Sequence, residues 1–181
     1  MKKVGIIGYG YWGPNLVRNF TGNKNFQVIK VSDSRQERLD LVKKQYPNII
    51  TALDPADILN DPEVDAVAIA TPVFAHYQLA KMALLNGKHV LLEKPMTATS
   101  GESEELINLA LQKQITLMVD HTFLYTGSVQ KIKSLIDDRS IGKVKYLDST
   151  RINLGLFQPD INVLWDLAPH DISILAYILD E

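Results

Sequence analysis

The chain has 181 residues, 46% of them hydrophobic and 22% charged, with a formal net charge of −2 and no cysteine. That is enough apolar surface for a packed core and too little charge imbalance for a disordered chain. The missing cysteines exclude disulfides and thiolate metal sites, and no block of Lys or Arg offers the clustered cations that a nucleic-acid backbone needs.

No apolar run approaches the roughly 20 residues that cross a bilayer. The opening Met1-Lys2-Lys3-Val4 imitates a signal peptide, but Gly5, Gly8, Gly10 and Gly13 break the apolar stretch early. No nucleic acid, membrane or metal partner is expected, and a cytoplasmic location is.

In chain order, short aliphatic runs at Val4–Ile7, Val28–Val31, Val64–Ala70, His89–Leu92 and Ile115–Val119 read as buried parallel strands. Helical stretches fall between them, at Gly13–Phe20, Arg35–Gln45, Pro55–Asn60, Ala75–Asn86 and Gly101–Gln112, with Gly87 as a stop after Asn86. Alternating β and α over residues 1–120 predicts an α/β unit with a doubly wound parallel sheet.

After His121 the texture changes. A helix near Ser128–Asp137, a strand near Lys143–Ile152 and an apolar helix from about Asp166 to Leu179 are expected there. One strand and two helices cannot close a sheet. Residues 121–181 therefore read as the start of a truncated α+β domain, and the chain as a fragment.

Four constellations carry chemistry. Gly8-Tyr9-Gly10-Tyr11-Trp12-Gly13 follows the first strand and opens a helix. There Gly8 can make the tight turn, Gly10 can admit a pyrophosphate, and Gly13 can let helix and strand pack closely. Glycines cluster in many turns, but Asp33 ends the second strand 20 residues after Gly13, where a carboxylate can accept from ribose hydroxyls.

Together these predict a dinucleotide site, with S-adenosylmethionine binding as the rival reading. Asp33 would repel a 2′-phosphate and favours NAD. Arg35 and Arg38 leave NADP open, either as phosphate ligands or as solvated residues of a helix face.

Two loops leave later strand ends: Ala70-Thr71-Pro72-Val73-Phe74-Ala75-His76 and Leu92-Glu93-Lys94-Pro95-Met96. Glu93-Lys94 is either a surface turn ended by Pro95 or a site that puts Lys94 beside the nicotinamide and substrate, its ammonium a donor to a reacting oxygen. In Trp165-Asp166-Leu167-Ala168-Pro169-His170-Asp171, Asp166 and His170 share a face if the segment is helical. They could serve one hydroxyl, or be a cap and a core hydrogen bond. Pro169 leaves a turn as the alternative to a helix.

These motifs, in this order and spread over essentially the whole chain, resemble the glucose–fructose oxidoreductase, inositol dehydrogenase and MocA (Gfo/Idh/MocA) family. The resemblance implies Lys94, Asp166 and His170 as the catalytic set. It implies cofactor contacts from Gly8, Tyr9, Gly10, Tyr11, Trp12, Gly13, Asp33, Ser34, Arg35, Thr71, Pro72, His76, Glu93 and Lys94.

A substrate pocket would be lined by Lys94, His121, Tyr125, Asp166 and His170. The activity implied is hydride transfer between NAD(P) and a secondary hydroxyl of a sugar, cyclitol or nucleotide sugar, in a protein that forms a homo-oligomer when full length. The segment Asn153-Leu154-Gly155-Leu156-Phe157 is similar to members acting on nucleotide-linked amino sugars or uronates. A non-catalytic dinucleotide sensor and an inactive truncation are the alternatives.

Overall fold

Six strands run parallel in the order β3-β2-β1-β4-β5-β6: β1 Lys2–Ile7, β2 Phe26–Ser32, β3 Ile50–Ala52, β4 Ala66–Ile69, β5 His89–Leu92 and β6 Leu117–Val119. This computed structural model describes residues 1–152 and 161–180. The strand order reverses between β1 and β4, which opens a crevice at their carboxyl ends. The predicted α/β doubly wound sheet is the sheet observed.

Side-chain alternation explains the two cores. Val4, Ile6 and Ala68 face one way and pack with Leu16, Val17 and Val42 of helices α1 (Gly13–Gly22) and α2 (Gln36–Gln45). Ile7, Val67 and Ile69 face the other way, against α3 (Ala56–Leu59), α4 (Val73–Leu85) and α5 (Ser100–Lys113) through Ile58, Leu84 and Leu106. Strands covered on both faces can be apolar throughout, which is how Val4–Ile7 and Ala66–Ile69 read.

The helix ends follow local chemistry. Thr99 and Glu102 close a capping box at the start of α5, each side chain accepting from the other's backbone amide. Past α4, Gly87 takes φ +76°, as its stop role requires. The three-residue β3 escaped the sequence reading. It pairs Lys30–Ser32 of β2 with Ile50–Ala52 and has too few residues to show a period.

The chain divides into two compact units, Met1–Val119 and Asp120–Glu181. In the second, a 3₁₀ turn at Thr122–Tyr125 precedes α6 (Gly127–Asp137), and α7 spans Val163–Leu179. Asn162 caps α7 by accepting from the Trp165 amide at 2.9 Å. The helix runs through Pro169, so the turn alternative fails: the ring removes one donor without ending the helix.

The strand expected near Lys143–Ile152 does not form. Lys143–Tyr146 alternate suitably, but a strand exists only when another backbone pairs with it, and among the described residues none does. The segment Asn153–Phe157 lies outside the described residues.

Candidate functional site

The glycine loop sits at the sheet's reversal point. Gly8, at φ +95°, turns the chain out of β1 while its amide donates to the Ser32 carbonyl at 2.8 Å. A methyl group on Gly8 would meet the Ala70 carbonyl oxygen at 2.6 Å, and one on Gly13 would meet the Gly8 carbonyl, so both must be glycine for β1, β4 and α1 to approach this closely.

A methyl on Gly10 would meet only the Arg35 Nη2, at an ordinary contact distance of 3.7 Å, so packing within the chain does not require the middle glycine. Helix α1 then begins with no side-chain cap, no acid in its first turn and Pro14 near its start. Its amide-rich, positive end suits a pyrophosphate.

Asp33, buried at the end of β2, accepts from the Tyr9 amide at 2.7 Å and the Arg35 amide at 3.0 Å. The Arg35 guanidinium adds Nε at 2.9 Å and Nη2 at 3.1 Å. Burial alone would push this acid up, but the Arg35 side chain, with the two amides, outweighs burial and holds it below the usual carboxylate range.

Tyr9 turns its ring into the core. Tyr11 is exposed and stacks on the half-buried Trp12, with ring centroids 6.4 Å apart. Ser34 and Pro72 are exposed as well.

Beside the glycine loop, the Ala70 amide donates to the Ile7 carbonyl at 2.8 Å and the Glu93 amide to the Ile69 carbonyl at 3.0 Å, so the loops after β1, β4 and β5 leave the sheet side by side. His76, 1% exposed, sits between two of them: Nε2 lies 2.9 Å from the Thr71 carbonyl oxygen and Nδ1 3.0 Å from that of Pro95, and in either neutral tautomer the one ring N–H donates to one of the two.

The spacing from Thr71 to His76 marked this histidine, but only the fold reveals that it binds backbone rather than facing an open surface. Glu93 and Lys94 are half-buried on the loop that carries Pro95. Thr71 Oγ1 is buried with no hydrogen-bond partner. A dinucleotide fits these residues, because the crevice combines a glycine cradle, a helix start and an unsatisfied hydroxyl.

In the second unit, Asp166 and His170 lie one turn apart on α7 and are half-buried. The Phe123 ring meets His170 edge-on at 4.8 Å, and the Arg151 guanidinium lies 4.8 Å from the same ring. Arg151 also grips Asp171 with Nε at 2.7 Å and Nη2 at 3.0 Å, which holds that acid below its ordinary value.

The sequence reading missed Phe123 and Arg151, which lie far from His170 in the chain. His121 has a buried Nδ1 with no hydrogen-bond partner, and burial pushes its imidazole below the ordinary value against the pull of Asp120. Tyr125 is exposed. Among the described residues no cluster could hold a metal ion, and no helix is long and apolar enough to cross a membrane.

A six-stranded parallel sheet with a glycine cradle, an acid after β2 and helices on both faces defines a dinucleotide-binding Rossmann unit. Residues 2–121 match the oxidoreductase family with an NAD-binding Rossmann fold, Gfo/Idh/MocA, and the chain belongs to that family.

It is 32% identical over 168 residues to scyllo-inositol 2-dehydrogenase (NADP(+)) IolW of Bacillus subtilis, covering 90% of this chain and 44% of the relative. It is 29% identical over 180 residues to UDP-N-acetylglucosamine 3-dehydrogenase of Acidithiobacillus ferrooxidans, covering 95% and 52%.

Among solved structures, an NAD-binding protein from Listeria innocua superposes with a TM-score of 0.84 at 26% identity, covering 99% of this chain and 55% of that one. The chain thus spans about half the length of the relatives it matches.

Proposed function

We propose that the whole protein transfers hydride reversibly between a nicotinamide dinucleotide and a secondary hydroxyl of a sugar, cyclitol or nucleotide sugar, acting as a homo-oligomer. The observation that carries this reading is the shared end of the sheet, where the dinucleotide cradle adjoins the Lys94 loop beside His76. The names of the inositol and UDP-N-acetylglucosamine dehydrogenases support the substrate class.

The bound nicotinamide supplies the hydride acceptor. As the family resemblance implies, Lys94 donates a hydrogen bond to the substrate oxygen, His170 takes the hydroxyl proton as the C–H bond gives up its hydride, and Asp166 orients nearby groups. Residues 121–181 begin the substrate-binding domain, with His121 and Tyr125 in its lining. NAD is the preferred cofactor because Asp33 repels a 2′-phosphate.

The test uses the full-length protein with a panel of polyols and nucleotide sugars, following reduced-cofactor absorbance. Lys94→Ala is expected to bind NADH as the parent does and to lose turnover by about a hundredfold or more. Turnover retained in that variant refutes the assignment.

A further inference from the structure

An ionised carboxylate offers about four lone-pair sites, and on Asp33 four donors fill them. The amides of Tyr9 and Arg35 take one site on each oxygen, and Arg35 Nη2 and Nε take the other two. The amides belong to the backbone and stay. The guanidinium belongs to one side chain that is 47% exposed, while Asp33 beneath it is 5% exposed.

Two parallel N–H donors of a guanidinium bridge both oxygens of a carboxylate, as two neighbouring hydroxyls of a ribose would. A ribose can therefore reach Asp33 only by displacing Arg35. The displaced group has little distance to travel, because Nη2 already lies over the glycine loop, 3.7 Å from where a Gly10 methyl would stand.

We propose that Arg35 is a built-in competitor for the adenosine ribose and, once displaced, the ligand of a 2′-phosphate, so that one side chain opposes NAD and supports NADP. This rests on the reading of Asp33 as the ribose carboxylate. With a 2′-hydroxyl, the released guanidinium goes to water and its two bonds to Asp33 are lost. With a 2′-phosphate it exchanges a carboxylate for a more highly charged anion and shields that anion from Asp33. The site accepts both cofactors, with a preference smaller than a lone Asp33 would impose.

The test is calorimetric titration of the 181-residue chain with NADH and NADPH, each variant's fold being checked by circular dichroism. Arg35→Ala is expected to bind NADH about threefold tighter, the range of an exposed ion pair, and NADPH about tenfold weaker, as a charge-assisted pair is lost. Arg35→Lys keeps the charge without the fork, so its NADPH affinity falls between the two.

Raising salt weakens NADPH binding more than NADH binding in the parent, and Arg35→Ala narrows the gap. Weaker or unchanged NADH binding in Arg35→Ala overturns the competition, and unchanged NADPH binding overturns the phosphate role. A parent chain that binds neither nucleotide refutes the dinucleotide reading itself, which is a different result.

Discussion

Replacing Gly8 with alanine tests whether the close approach of β1 and β4 is what shapes the cradle. At φ +95° an L-residue is strained by about 1–2 kcal/mol. The new methyl would also lie 2.6 Å from the Ala70 oxygen, 2.8 Å from its carbonyl carbon and 3.0 Å from the Thr71 nitrogen. These are backbone atoms, and the Ala70 amide is itself bonded to Ile7, so the neighbour cannot yield without breaking the pairing of β1 with β4.

Overpacking of this kind costs about 1–3 kcal/mol, giving a total of about 2–5 kcal/mol, a large share of a typical domain's stability. Gly87→Ala is the control: φ is +76° but nothing lies within 4 Å, so only the strain of about 1–2 kcal/mol applies. Urea unfolding followed by circular dichroism compares the two, and NADH titration should fail for Gly8→Ala alone. Equal destabilisation by both, or NADH affinity kept by Gly8→Ala, would refute the reasoning.

His76→Ala should destabilise the chain by about 2–4 kcal/mol, because it leaves the Thr71 and Pro95 carbonyls without this side chain and a void between two loops. A loss under about 1 kcal/mol in the same unfolding assay would show that these contacts count for little. Asp33 titrates below its usual range when folded, so its ionised form stabilises the protein above the ordinary carboxylate value near 4, and that contribution disappears as pH falls through the folded value. The stability gap between the parent and Asp33→Asn should accordingly be widest at neutral pH and shrink below about pH 4. A gap that stays constant down to pH 2.5 contradicts this.

Much of the fold was legible because buried parallel strands announce themselves locally. Val4–Ile7 and Val90–Leu92 are apolar without a break, and Gly8 and Gly87 mark positions that their backbone angles then require. What the sequence could not disclose depends on pairing between distant residues.

Lys143–Ile152 starts with the alternation of a strand, over Lys143–Tyr146, and has no backbone strand beside it among the described residues. Ile50–Ala52 is a strand only because β2 lies beside it. In the site, Asp33 was readable from its spacing to the glycines, whereas the four donors that saturate it were not. The same holds for His76: its spacing was visible, its two backbone carbonyls were not.

The His76 imidazole fills the space between Thr71 and Pro95, its ring nitrogens 2.9 and 3.0 Å from their carbonyl oxygens, with Lys94 next to one of the two contacts. The loop after β4 and the backbone that carries Lys94 therefore share one buried side chain.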